Sequence, residues 1–147
     1  MPLFHMLPAA NVPLLELPMP LMRDPDLFAF GRALAPLRKA GIMILTSGTM
    51  THNLAAANAK QTQPAPWTRE FDAWYVETAA ASDIDGLINW RKALAARLAH
   101  PDDGGHYRVS LIALGAALGD GSALASLRYP LEGFDIGHFS TRSVQFA

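Results

Sequence analysis

A chain of 147 residues, half of them apolar, is one domain's worth of protein and buries roughly two-thirds of the surface its unfolded form exposes. With 17% charged residues and a net charge of −1, it has neither a basic footprint for nucleic acid nor a charged disordered tail. The absence of cysteine removes disulfides, thiolate metal sites and thiol nucleophiles together, fits a reducing, cytoplasmic setting, and leaves histidine and carboxylate as the side chains to hold any metal.

The first twenty residues are apolar but carry Pro2, Pro8, Pro13, Pro18 and Pro20, and no basic region precedes an uninterrupted apolar core. They make neither a signal peptide nor a membrane span. The alternation in Val12-Pro13-Leu14-Leu15-Glu16-Leu17 predicts a strand, and its start without a polar lead-in predicts a truncated beginning. Asp24-Pro25 predicts a helix start, with the aspartate as N-cap; Leu27, Phe30, Leu34 and Leu37 recur at helical spacing up to Gly41, with Pro36 a possible kink. Ile42-Met43-Ile44-Leu45, followed by Thr46-Ser47-Gly48-Thr49, has the pattern of a buried parallel strand leading into a site loop.

Residues 55 to 66 are polar and read as a loop. Phe71, Trp74, Tyr75 and Thr78 share one helical face, which leaves Glu70, Asp72 and Glu77 for solvent, and Trp67, Trp74, Tyr75 and Trp90 read as core. Ser82-Asp83 restarts a helix carrying Ile84, Leu87 and Ile88. A third helical piece runs through Leu94 and Leu98 until His100-Pro101 breaks it. After Asp102-Asp103-Gly104-Gly105 an apolar helix extends from about residue 106 to 118, and residues 124 to 129 and 143 to 146 read as strands. The expected fold is α/β, a layered domain with a mostly parallel sheet flanked by helices. In such folds ligands sit beyond the carboxyl ends of strands, where the loop of residues 47 to 54 lies.

Five histidines are the candidate nitrogens for metal ligation or proton transfer. His52 lies in a loop of glycine and small hydroxyl residues that permits close approach of a ligand, although a loop histidine bonded to backbone is the plainer reading. His106 opens a helix, where the macrodipole disfavours the cation and so favours the neutral imidazole that binds metal; it equally suits a polar residue closing a turn. His100, before a proline, reads as a turn histidine, and His5 and His138 as structural or surface residues. No HExxH, GxSxG, phosphate-cradling glycine loop or paired-carboxylate signature is present, so hydrolase and nucleotide-binding readings have no support.

The segment GIMILTSGTMTHNL at residues 41 to 54 resembles the glycine-led strand and THNL loop of class III extradiol ring-cleaving dioxygenases of the DOPA-dioxygenase type. The likeness continues in order through Pro64-Ala65-Pro66-Trp67 with Glu70-Phe71-Asp72-Ala73-Trp74, through RLAHPDDGGHYRVSLIALGAA, and into the serine-containing segment of residues 137 to 146. The resemblance implies a non-haem Fe(II), or zinc, held mainly by histidines, and cleavage of a catechol-type small molecule by dioxygen. Carried over by motif, it makes His106 a metal ligand and His52 the acid-base histidine. Asn53 orients the loop, and His100 is a candidate supporting residue behind the site.

Two departures accompany it. The stretch between His100 and His106 is one residue longer than the family's usual spacing and puts glycine where an acidic residue commonly precedes the histidine. The family's other histidine ligands belong to an amino-terminal half that this chain does not contain, so residues 1 to 147 are expected to be a carboxyl-terminal, incomplete portion that takes up the metal only with that half. The expected function is extradiol ring opening with this chain supplying part of the metal site; the alternatives are a non-catalytic binding or interaction domain and a degraded gene product. Apolar surface left uncovered predicts a homodimer through residues 3 to 21, and neither nucleic acid nor membrane is an expected partner.

Overall fold

The computed structural model describes residues 2–121 and 123–146. Its helices are α1 (Pro2–Met6), α2 (Asp24–Lys39), α3 (Pro66–Ala80), α4 (Ile84–Ile88), α5 (Ala96–Ala99) and α6 (Gly105–Leu118). Short 3-10 turns stand at Leu54–Ala56 and Trp90–Lys92. The strands, each of two residues, are β1 (Leu127–Arg128), β2 (Phe134–Asp135), β3 (Phe139–Ser140) and β4 (Gln145–Phe146).

Helix α2 carries Asp24 and Asp26 in its first turn and Arg38 and Lys39 in its last, which complements the macrodipole at both ends. Its N-cap is Arg23, not Asp24 as expected. The Asp24 carboxylate instead accepts from Trp90 Nε1 at 3.0 Å, from Arg108 Nε at 2.6 Å and from Arg91. It is worth more there than on a terminal amide, because it takes charge-assisted hydrogen bonds from two guanidinium groups at once. Pro36 lies inside α2 without ending it. Gly41, at φ +82°, then closes the helix by donating to the Arg38 carbonyl at 3.0 Å, in the left-handed region that glycine enters without strain.

The core forms where α3 and α6 present Phe71, Tyr75, Tyr107, Leu111 and Leu114 to Leu27, Leu87 and Trp90, all at most 2% exposed. The Tyr107 hydroxyl satisfies itself on the Leu87 carbonyl at 2.9 Å. Helices α2 and α6 cross closely because each offers a glycine at the contact. A Cβ on Gly31 would run into the Ile112 carbonyl, and one on Gly115 into the Phe28 carbonyl. Overpacking against backbone cannot be relieved by a rotamer change. Gly115→Leu is therefore expected to destabilise the chain by about 3 kcal/mol or more, read as a lower urea midpoint.

The mostly parallel sheet is not found among the described residues. β1 pairs antiparallel with β4 (Leu127 opposite Phe146), and β2 antiparallel with β3 (Phe134 opposite Ser140). β1 and β4 fall inside the stretches predicted to hold strands, whereas β2 and β3 lie outside them. Residues 42 to 45 form no ladder, and Ile42, Met43 and Leu45 are 50%, 63% and 45% exposed. A central parallel strand exists only through neighbours on both edges, and the described residues supply none. Residues 12 to 17 are likewise irregular and exposed.

The third helical piece is reduced to α5, which leaves Leu94 outside it, and Leu94 and Leu98 are exposed while Ala95, Ala96 and Ala99 are buried. One facing assignment also changes. On α3, Glu70 and Glu77 are exposed as expected but Asp72 is buried. No helix among the described residues is long and apolar enough to cross a membrane.

Candidate active site

The loop of residues 49 to 53 is held from two sides. On one side His52 N–H donates to the Ala99 carbonyl at 2.8 Å, Asn53 Nδ2 to the Leu98 carbonyl at 2.8 Å, and His100 Nε2 lies 2.9 Å from the Met50 carbonyl. On the other, Thr51 Oγ1 donates to the His138 carbonyl at 2.9 Å and accepts from Ser140 N–H at 2.8 Å. Main-chain groups thus fix the loop between α5 and β3. Its approach to α6 requires Gly48, where a Cβ would collide with the His106 carbonyl.

That placement brings His52 and His106 together. Their rings stack with centroids 3.7 Å apart and planes 11° from parallel, and Phe139 covers the other side of His52 at 5.6 Å. The Asp102 carboxylate stands 3.8 Å from His52 Nδ1, a charge partner for the ring when it carries a second proton. Thr49 flanks His106 Nδ1 with both its backbone N–H and its hydroxyl, each at 3.3 Å. It can therefore serve either tautomer, and ligation through Nε2 calls for Nδ1–H to donate to the Thr49 hydroxyl. Partial burial, reinforced by the neighbouring His52 and opposed by Asp102, holds His106 below the usual histidine range, which favours the neutral ring that binds metal.

Asn53 turns away from the paired rings. Its amide oxygen accepts from Ala56 N–H at 3.2 Å, so it shapes the loop from behind. His100 is buried beneath the same loop, inside a box of Phe71, Trp90 and Tyr107 rings. His138, read from the sequence as structural or surface, is 1% exposed, and His5 is exposed. Asp102, Thr49 and Phe139 were not singled out in the sequence. Asp102 had a local signal, two residues after His100 in the same turn, whereas Phe139 reaches His52 only through the fold.

Burial lowers His100 to about 4, against the smaller opposing effects of its bond to Met50 and the charge of Asp102. The unfolded histidine titrates near 6.5, so as pH falls through that value the unfolded chain takes up a proton that the folded one refuses. Stability present above pH 6.5 is lost between 6.5 and 4, by about 3 kcal/mol in total. His100→Gln, which keeps a donor for the Met50 carbonyl, is expected to flatten that part of the pH profile of the urea midpoint. An unchanged slope would refute the assignment.

Among the described residues no group of three or more His, Cys, Asp or Glu side chains is placed to hold a metal ion. The two stacked rings face each other rather than converge on one point, and a single histidine does not retain Fe(II). The cavity beside His106, lined among others by Thr46, Thr49, Ser110 and Arg142, is about 70 Å³, far below the roughly 300 Å³ of a small ligand pocket. A larger one of about 450 Å³ lies at the start of α2 among Arg23, Arg91, Lys92 and Arg108, lined by neither histidine. Two of those guanidinium groups are already committed to Asp24.

Residues 1–138 match the family model described as the catalytic LigB subunit of aromatic ring-opening dioxygenase. The chain is 32% identical to a 4,5-DOPA dioxygenase extradiol of Escherichia coli (strain K12), over 97% of this chain and 53% of that protein. It is 34% identical to the protein of the same name in Beta vulgaris, over 79% of this chain and 44% of the relative. The chain thus spans about half the length of the curated relatives it matches. A crystal structure of an uncharacterized protein from Escherichia coli K12 superposes with a TM-score of 0.85 at 29% identity, covering 99% of this chain and 59% of that one. A family match over nearly all of the chain, in the segments that carry the paired histidines, means that this chain belongs to the LigB family of aromatic ring-opening dioxygenases.

Proposed function

We propose that residues 1 to 147 are the carboxyl-terminal portion of an extradiol dioxygenase domain that opens a catechol-type ring with dioxygen, and that this chain supplies only part of the site. The observation that carries the reading is the face-to-face pairing of His52 and His106, two side chains from separate segments, at 3.7 Å. His106 is the metal ligand, and His52 is the acid-base group that takes and returns a catechol hydroxyl proton. Asn53 and His100 act from behind the loop, holding its backbone so that the His52 ring stays over the site.

His106 together with histidines from the rest of the domain would hold the metal; Fe(II) there would supply open positions for catecholate and dioxygen, whereas zinc would fill the same ligands without redox chemistry. The chain's own residues do not form that set. The setting is cytoplasmic, in keeping with a chain free of cysteine. Apart from the rest of the domain the chain is expected to form a homodimer through residues 3 to 21, where Val12, Leu14, Leu15 and Leu17 are all more than half exposed.

The test is oxygen uptake with DOPA or catechol after anaerobic Fe(II) loading. The chain alone is expected to be inactive. It is expected to turn over once combined with the part of the Escherichia coli relative that it does not match. Turnover by the chain alone at ordinary enzyme rates, or inertness of an assembly that retains Fe(II), would overturn the proposal.

A further inference from the structure

The unpaired stretch of residues 43 to 48 has the features of a docking edge. Among the described residues its backbone N–H and C=O groups make no hydrogen bond to backbone, although His52, in the loop that follows, is fixed by its N–H on the Ala99 carbonyl at 2.8 Å. Its side chains alternate, Ile44 and Thr46 half-buried, Met43, Leu45 and Ser47 exposed. One face therefore rests on this chain while the other carries Met43 and Leu45, 63% and 45% exposed. Apolar residues on both faces are what a strand covered on both sides has, and unpaired backbone beside them is an open template for strand addition.

We infer that residues 43 to 48 are the docking strand for the remaining part of a LigB-type domain, which adds a strand to each edge and covers Met43 and Leu45. The inference rests on the family reading and deepens it by naming the partner and the surface. Two observations favour this occupant over a second copy of the chain. A two-fold contact pairs a strand with its own copy, antiparallel and at one edge, and leaves the other edge open. The solved relative holds this fold within a larger one: 99% of this chain superposes on only 59% of it, so further polypeptide of that relative lies beyond the matched part. The partner is thus a polypeptide with apolar, parallel-type strands, whether it is joined to this chain or separate from it.

The experiment is amide hydrogen exchange on the full chain, alone and mixed with the part of the Escherichia coli relative that it does not match, expressed as a separate polypeptide. The expected result is a one-to-one complex in which amides 43 to 48 gain at least a hundredfold protection. The variant Met43→Lys/Leu45→Lys is expected to weaken association at least tenfold while the circular dichroism of the helices stays unchanged. Three results would overturn the inference: no complex, a complex without protection at 43 to 48, or protection of those amides in a symmetric dimer of this chain alone. A protected complex that is inert toward catechols would leave the docking strand standing and remove the ring-cleavage reading instead, so the two failures are distinguishable.

Discussion

In the reconstituted assembly, His52→Ala is expected to leave the metal bound and lower turnover by about a hundredfold or more, the usual cost of losing a general acid-base group. His106→Ala is expected to lose the metal. The division follows from geometry. The rings are stacked 3.7 Å apart and nearly parallel, so they are poorly disposed to grip one ion together, and Thr49 stands at Nδ1 of His106 alone. Metal content measured beside oxygen uptake separates the two effects. If both substitutions leave metal and turnover unchanged, the residue roles are wrong even though the family stands.

Asp72→Ala is expected to be among the most destabilising single changes in the chain, at about 3 to 5 kcal/mol, the cost of stranding a charge whose buried partner is removed. Asp72 is 5% exposed and accepts from Ser140 Oγ at 2.5 Å and from Arg142 Nε and Nη2 at 2.9 and 2.6 Å. Arg142 in turn lies over the Tyr129 ring at 4.6 Å and reaches Glu132 at 3.0 Å. The Asp72 hydrogen bond is the chief cause that holds the guanidinium above its ordinary range, and an arginine stays charged at neutral pH even when that carboxylate is gone. Because Phe139, which covers His52, directly precedes Ser140, the same substitution is expected to loosen the site. Urea denaturation reads the first effect and exchange of the His52 amide the second. A loss below about 1 kcal/mol, typical of an exposed pair, would show that the cluster is not structural.

Helices were the legible part of the fold because their information is local. Phe71 and Tyr75, one turn apart, are both buried, and the apolar run after Gly105 became α6 within a residue of its expected start. The capping and facing of charged residues was less legible: Asp24 left the cap for Trp90, Arg91 and Arg108, and Asp72 turned inward to Arg142. Both exchanges join residues distant in sequence, and no spacing rule announces such partners.

His52 and His106 were named from their own motifs, and the class of chemistry followed from the resemblance those motifs carry. Only the tertiary structure decided that their rings meet, that Phe139 and Asp102 flank His52, and that Asn53 and His100 spend their polar atoms on nearby backbone. The run Ile42-Met43-Ile44-Leu45 shows the limit most plainly. Its composition marks it as a strand meant for burial, but a strand is a relation between segments: without neighbours to satisfy its edges it stays an exposed, unpaired stretch, because its backbone hydrogen bonds, unlike those of a helix, must come from elsewhere in the fold.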